Sequence, residues 1–149
     1  MSNTEKIKQL RETTGLSLGQ IKKALDEAGG DSAKAVDILK ANGIAVAEKK
    51  SARQVKEGVV DAYIHSTRKL GALVEILCET DFVARNSEFQ KLAHELAMQI
   101  AATKPGTTED LLSQQFIKDQ DITIKDLINQ YIAKLGENIQ VGSFQIFEI

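Results

Sequence analysis

Few residues of this chain could carry out chemistry, and they do not form a recognisable reactive set. An enzyme needs a nucleophile with a base, or a shell of metal ligands, and the candidates are His65, His94 and Cys78. None has a cysteine or histidine partner at metal-ligand spacing, and each falls inside a regular helix or strand pattern. We therefore expect no catalytic residue, no metal site and no cofactor. His65, at a strand end beside a turn, is the candidate best placed to face a partner.

A binding surface is available instead at the heptapeptide Thr80-Asp81-Phe82-Val83-Ala84-Arg85-Asn86. An apolar run ends just before it and a strongly periodic helix begins near its end, so it forms a strand-to-helix corner. Spacing alone leaves two interpretations. Either Phe82 turns into the core and Asp81 caps the following helix, or Phe82 lies in water and can enter a partner's pocket. In the second case, burying the ring would contribute up to about 4 to 5 kcal/mol, at roughly 25 cal/mol per Å².

Composition is that of an ordinary globular protein with one or two small domains. The 149 residues are 42% hydrophobic and 27% charged, with a net charge of -2. Residues 1–57 hold 11 Lys and Arg against 8 Asp and Glu, whereas the remainder holds 8 against 13. A basic leading part on an acidic body favours docking to a charged protein surface over direct contact with nucleic acid. A single cysteine, with no visible leader or membrane span, favours a cytoplasmic protein without membrane contact.

Residues 1–43 are predicted to form a module of three short helices. Capping residues and glycines set their limits at Ser2/Glu5 to Gly15, Ser17/Gln20 to Gly29-Gly30, and Asp31 to Asn42-Gly43. So small a module has a thin core and suits docking better than catalysis. Its first loop carries Leu16 and Leu18, of which only one can easily turn inward. The pattern leaves open whether both belong to the core or Leu18 is an exposed contact.

Residues 44–58 are predicted to be a helical connector, and residues 59–149 an α+β body. Its predicted elements are strands from Val59 to Ser66, from Leu70 to Glu79 and from Ile139 onward, a helix from the capping box Ser87/Gln90 to Pro105-Gly106, and a helix from Thr123/Asp126 to Gly136. The polar stretch Thr107 to Asp121 shows a short helical pattern around Leu111 and Leu112. We expect a three-stranded antiparallel sheet with the two longer helices packed on one face.

The heptapeptide and several other segments resemble those of the elongation factor Ts family. Its members are guanine nucleotide exchange factors of the translational GTPase elongation factor Tu. The heptapeptide looks like the family signature. Further matching segments are Leu10-Arg11-Glu12-Thr13-Thr14-Gly15, Lys22-Lys23-Ala24-Leu25, Tyr63-Ile64-His65, Leu73-Val74-Glu75 and Lys134-Leu135-Gly136-Glu137-Asn138-Ile139. The likeness runs nearly end to end, so chance agreement does not account for it.

The resemblance implies a role for Thr80, Asp81, Phe82 and Val83. In the family, the aromatic ring wedges between elements of the GTPase beside its Mg²⁺ site, and the aspartate helps to displace that region. Magnesium coordination is then disturbed and GDP is released, so the factor would bind both the GDP-bound and the nucleotide-free GTPase. The chain would thus promote exchange on a protein partner and would not itself be an enzyme.

The resemblance also implies that the N-terminal module has a ubiquitin-associated-like fold and docks on the GTPase through Leu16 and Leu18. The chain departs from the family pattern in three places. Gly19 stands where methionine is frequent, and Gly142-Ser143 replaces residues that are commonly arginine. The interval Lys104 to Asp121 is also too short for the long helical hairpin of many members.

Only one copy of the sheet core is present, and short single-copy relatives pair, so we expect a homodimer joined through the cores. Two other functions stay open at this point. One is an adaptor whose helical module binds peptides or ubiquitin-like partners without affecting nucleotide release. The other is a small hydrolase, which would need an accessible and activated His65 or Cys78.

Overall fold

The protein is described by a computed structural model that covers residues 2–149. The helices are α1 (Asn3–Thr14), α2 (Leu18–Glu27), α3 (Ser32–Lys50), α4 (Asp81–Ala84), α5 (Ser87–Thr103), α6 (Thr108–Ser113) and α7 (Ile124–Leu135). The strands are β1 (Glu57–Ile64), β2 (Leu70–Cys78), β3 (Gln115–Phe116), β4 (Asp119–Thr123) and β5 (Gln140–Glu148). This is the predicted α+β class. Within residues 2–149, none of the helices is both long enough and apolar enough to cross a bilayer.

The first two helices begin at the predicted capping boxes. The Ser2 and Ser17 hydroxyls accept from backbone N–H groups three residues on, and Glu5 and Gln20 reach back to the cap residues. Gly15 ends α1 in the left-handed conformation, with φ 67°. A small cluster of buried apolar side chains holds α1, α2 and α3 together: Leu10, Leu16, Ile21, Ala24, Leu25, Ala35 and Leu39.

The third helix is longer than predicted. We expected it to close at Asn42-Gly43, but it continues to Lys50. Gly43 is buried against α7, where a Cβ would lie 3.7 Å from the Asn129 carbonyl oxygen. This packing outweighs the roughly 1 kcal/mol by which glycine disfavours a helix. The predicted helix end is therefore wrong, and α3 crosses the limit proposed for the first module.

Two polar contacts fix α3 to α7 on either side of Gly43. Lys40 Nζ lies 3.2 Å from Asp126 Oδ2. Further along, Lys50 Nζ donates to the Gly136 carbonyl oxygen at 2.6 Å. The division of the chain at residues 43 and 58 stays a prediction. α3 runs through the first of these positions, and β1 contains the second.

The predicted three-stranded sheet is confirmed. β2 lies between β1 and β5 and pairs with both in antiparallel register, with an irregularity between Val74 and Ile76 opposite β5. One face of the sheet is covered by α5, whose apolar stripe is buried from Phe89 to Ala101. The α7 helix packs on α5 and α3, so the core lies between the sheet and these helices.

The second face of the sheet is open and carries several exposed apolar side chains. Its exposed large side chains come from all three strands or the chain end: Val60, Ile64, Leu73, Phe147 and Ile149. Strand alternation explains their position, because residues at every second position share a face, so Asp61 and Tyr63 on β1 and Ala72 and Val74 on β2 point to the covered face. The uncovered face thus carries an exposed apolar patch, with the polar side chains of Glu75 and Gln145 on the same face.

The interval before α7 holds a small hairpin that the sequence pattern did not predict. The expected short helix around Leu111 is confirmed as α6, but β3 and β4 then pair as a separate two-stranded sheet. The buried Gln99 on α5 holds it. Gln99 Nε2 donates to the Gln115 carbonyl oxygen at 3.1 Å, and Gln99 Oε1 accepts from the Ile117 N–H at 3.0 Å.

Candidate functional site

The strand-to-helix corner is built around a single turn of helix. β2 ends at Cys78, α4 follows, and α5 begins after Asn86. Thr80 caps α4, since its hydroxyl oxygen accepts from the Val83 N–H at 3.4 Å. Asn86 caps α5 by accepting from the Glu88 N–H at 2.8 Å. The chain thus changes direction over the eight residues between β2 and α5, and the helices α4 and α5 both begin at a capping residue.

One local prediction is wrong at this corner, and one of the two alternatives that the spacing left open is excluded. The capping box that we expected at Ser87 and Gln90 is absent, because Asn86 provides the cap and Ser87 is the first helical residue. Asp81 does not cap the following helix either, because it lies in the first turn of α4. Asparagine and serine are both favoured as caps, so local preference does not choose between Asn86 and Ser87. The position of the α4 turn makes Asn86 the cap of α5.

Phe82 points into water and is 85% exposed. The other residues of α4 provide the anchor: Ala84 is buried and Val83 is half-buried against the core. One turn of helix can direct only one side toward the core, so anchoring Val83 and Ala84 directs Phe82 outward. Of the two orientations that the spacing left open, the exposed one is present. A phenylalanine this exposed is available for burial in a partner's pocket.

Asp81 stands beside this ring with its carboxylate on the surface. Its Oδ2 atom lies 2.6 Å from Arg85 Nη2, one helical turn later. Both side chains are more than half exposed, so water screens the pair and it adds little to stability. The corner therefore presents an apolar ring beside the carboxylate of Asp81. Because the pair with Arg85 is exposed, a cation on a partner can replace Arg85 at little cost.

Leu16 and Leu18, the two predicted docking residues, have different environments. Leu16 is 7% exposed and belongs to the small core of the N-terminal helices. Leu18 begins α2 and is 42% exposed, in a shallow depression that it shares with Ile7 and Arg11 of α1. Only Leu18 offers surface to a partner, while Leu16 supports the loop from beneath.

The other reactive candidates lack the geometry for catalysis. Cys78 is wholly buried, and burial raises the pKa of its thiol to about 11, so it is protonated at neutral pH. His65 Nδ1 contacts the Thr67 hydroxyl at 3.0 Å, and His94 Nδ1 lies 3.4 Å from Asp61 on the surface. Across residues 2–149, no three His, Cys, Asp or Glu side chains gather as a metal site. Cys78 therefore cannot act as the nucleophile that the hydrolase hypothesis requires.

Glu137 is a residue of the corner that the sequence analysis missed. The sequence predicts a helix end at Gly136, and Gly136 does end α7 with φ 80°. The next side chain, however, reaches the corner: Glu137 Oε2 accepts from the Thr80 hydroxyl at 2.6 Å. The available signal was a carboxylate placed directly where the chain re-enters the sheet, but its partner, 57 residues earlier, cannot be read from local spacing.

Comparison with known proteins finds relatives that align along nearly the whole chain. The family model described as "Elongation factor TS" matches residues 79–149, which begin at the corner. Elongation factor Ts of Carboxydothermus hydrogenoformans is 41% identical over 194 aligned positions that cover 100% of this chain and 89% of that protein. Elongation factor Ts of Thermotoga petrophila is 42% identical, covering 96% of this chain and 94% of that protein. For that of a Thermoanaerobacter species the identity is 40%, with 99% and 95% covered. The chain therefore belongs to the elongation factor Ts family.

Proposed function

We propose that this protein is a guanine nucleotide exchange factor that promotes GDP release from elongation factor Tu during protein synthesis in the cytoplasm. The observation that carries the proposal is the outward position of Phe82, at a braced corner, in a chain of this family. The protein accelerates exchange by binding and does not transform a substrate. No cofactor of its own is required, since the magnesium ion and the nucleotide belong to the GTPase.

In the proposed mechanism, the ring of Phe82 inserts between elements of the GTPase beside the Mg²⁺ site. The Asp81 carboxylate then helps to displace that region, which disturbs magnesium coordination and loosens GDP. Thr80 and Val83 support this contact, Thr80 by capping α4 and Val83 by packing the turn on the core. Binding must be reciprocal: if the factor weakens GDP binding by some ratio, GDP weakens factor binding by the same ratio. GTP can then expel the factor.

The N-terminal helices provide a second contact in this proposal. Leu18 docks on the surface of the GTPase, and the buried Leu16 holds the loop that presents it. The basic balance of residues 1–57 favours an acidic surface on the partner. This contact keeps the two proteins together while the corner acts on the nucleotide site.

We also propose that two copies pair through the open face of the sheet. Val60, Ile64 and Phe147 are each more than 60% exposed, and together they form an apolar surface on a chain with a single sheet core. Contiguous exposed apolar surface is uncommon on monomers and typical of interfaces between subunits. A second copy, related by a two-fold axis, presents an identical surface and so can cover it.

The test is the release of fluorescent GDP from elongation factor Tu. The wild-type protein should accelerate release, and Phe82→Ala should lower this acceleration by roughly 2 to 4 kcal/mol of lost coupling. Because Phe82 makes little contact with the core, the variant should unfold at the wild-type temperature.

Ile117→Ala is the matched control, because it truncates another exposed apolar side chain at a distant hairpin and should leave release unchanged. Equal rates for Phe82→Ala and wild type would refute the wedge. Binding to elongation factor Tu without any change in GDP release would indicate a non-catalytic adaptor instead.

A further inference from the structure

We propose that Glu137 is a positioning residue for exchange: its carboxylate fixes the direction in which the corner presents Asp81 and Phe82. The inference rests on the proposed function and adds a residue outside the signature heptapeptide. It is drawn from the contacts between the end of β2 and the junction of α7 with β5, two segments far apart in the sequence.

Glu137 makes three hydrogen bonds to the residues that lead into α4. Its Oε1 atom accepts from the Glu79 N–H at 3.1 Å and from the Thr80 N–H at 2.9 Å. Its Oε2 atom accepts from the Thr80 hydroxyl at 2.6 Å. A charged acceptor makes these bonds stronger than neutral ones. One side chain thus fixes both the backbone and the cap of the turn that carries Phe82.

A return contact completes the brace. The Asn138 N–H donates to Glu79 Oε2 at 2.6 Å, so each segment offers a carboxylate to the other's backbone. The Asn138 side chain is buried, and its Nδ2 atom donates to the Arg53 carbonyl oxygen at 2.8 Å. Arg53 Nη1 also lies 3.7 Å from Glu79 Oε1. The loop before β1 is therefore tied into the same brace.

Strand pairing cannot hold these residues, because the β2–β5 ladder ends before them. Its last pair is Leu77 with Gln140. Beyond that point the Glu79 and Thr80 N–H groups would be half-buried without a partner, which is costly. The left-handed conformation of Gly136, with φ 80°, turns the chain so that the next residue faces them. The Glu137 carboxylate thus takes the place of the missing ladder.

The position of Phe82 depends on this brace as well as on the packing of Val83 and Ala84, because α4 is too short to hold itself. A helix of four residues has almost no stability of its own. Its exposed ring adds no contact that would fix it. If the corner were mobile, binding to the GTPase would have to order it. The conformational entropy lost in this ordering would reduce the free energy available for inserting Phe82. Bracing by Glu137 means that the ring meets the partner already in place.

Four proteins test the inference: wild type, Glu137→Ala, Glu137→Gln and Asp126→Ala. Glu137→Ala should lower the GDP release rate at saturating factor about tenfold, while half-saturation changes less, since Leu18 still docks. Glu137→Gln keeps an acceptor oxygen for the two N–H groups and should recover the rate to within about threefold of wild type.

Asp126→Ala is matched as a control. Asp126 also accepts from a backbone N–H, that of Thr123 at 3.0 Å, and also joins two elements through Lys40. Its loss should lower thermal stability but leave the release rate within about twofold of wild type. A general loss of stability would instead lower the rates of Asp126→Ala and Glu137→Ala alike, which would overturn the inference.

Amide hydrogen exchange gives a readout that needs no partner. In Glu137→Ala, the amides of Thr80, Val83, Ala84 and Arg85 should lose protection, while the middle of α5 keeps it. Wild-type protection at those amides in Glu137→Ala would overturn the inference. If wild type itself does not accelerate GDP release, the proposed function fails, and the amide data still decide whether Glu137 orders the corner. Should Glu137→Ala not fold, Glu137→Asp, whose carboxylate is one methylene shorter, should show the same loss of protection.

Discussion

Phe82 and Leu18 are the exposed apolar residues that our proposal assigns to the GTPase, and they differ in what supports them. Phe82 stands on a turn braced by the sheet, whereas Leu18 begins a helix of the small N-terminal core. A ring on a rigid support can displace what it meets, while a leucine on a small module can only add affinity. We therefore expect the two residues to affect different kinetic quantities.

Leu18→Ala should raise the factor concentration needed for half-maximal GDP release, by roughly threefold to thirtyfold, with little change in the rate at saturation. The reason is that Leu18 contributes equally to the complexes before and after GDP leaves. A titration of the release rate against factor concentration measures both quantities.

Ile117→Ala is a suitable control, because Ile117 is also exposed, at 40%, but lies between β3 and β4, outside the N-terminal helices. A lower rate at saturation with unchanged half-saturation in Leu18→Ala would contradict the docking role.

At the scale of elements, Lys134 joins α7 to α5 and to the loop after α1. Its Nζ atom lies 3.0 Å from Glu88 Oε2, and its side chain passes so close to Gly15 that a Cβ there would lie 2.6 Å from Nζ. The hydrogen bond and charge of Lys134 lower the pKa of Glu88 below its ordinary value of 4.5. The ion pair therefore links folding to pH.

The sign of this link follows from the direction of the pKa shift. A carboxyl whose pKa is lower in the folded state stabilises the fold above its ordinary pKa, and this contribution is lost as pH falls through the folded value. The free energy of unfolding should thus fall below about pH 4.5, and Lys134→Met should show a smaller fall. Urea denaturation between about pH 6 and 3 measures it. Lys125→Met, also on α7, is the control and should keep the wild-type slope; an unchanged slope in Lys134→Met would exclude the link.

Elements whose signals are local could be predicted from the sequence. Capping boxes at Ser2, Ser17 and Thr123 fixed three helix starts, because a cap and its acceptor lie three residues apart. The alternation of β1 and β2 and the stripe of α5 were equally local. These elements together were enough to predict the three-stranded sheet and the corner.

Elements that depend on distant contacts could not be predicted in this way. Gly43 stops a helix in most settings, but here it allows close packing on Asn129, so α3 continues. The β3–β4 hairpin has a polar sequence and is held by Gln99 of α5. The direction of Phe82 was undecided for the same reason, since Val83 and Ala84 set it by packing on a core assembled from the whole chain.

For the whole molecule, the open face of the sheet predicts dimerisation. Ile64→Lys places a charge on the apolar patch of that face and should convert a dimer into a monomer without loss of secondary structure, because an unpaired charge cannot be buried between two apolar surfaces. Analytical ultracentrifugation at micromolar concentrations measures the change. Ile117→Lys, an equivalent charge on the distant hairpin, should leave the dimer intact. A wild-type protein that sediments as a monomer at high micromolar concentration would rule out the pairing.

The unbroken α3 has a consequence for how the two proposed contacts cooperate. Because it runs through Gly43 to Lys50 and is fixed to α7 by close packing at Gly43 and by Lys50, the Leu18 surface and the Phe82 corner sit at a set separation. The chain then behaves as a bivalent ligand with a stiff spacer. Once one contact has formed, the other meets its target at a high effective concentration, but only on a partner whose two sites match that distance. In this proposal, the distance between the two contacts helps to select the GTPase along with their chemistry.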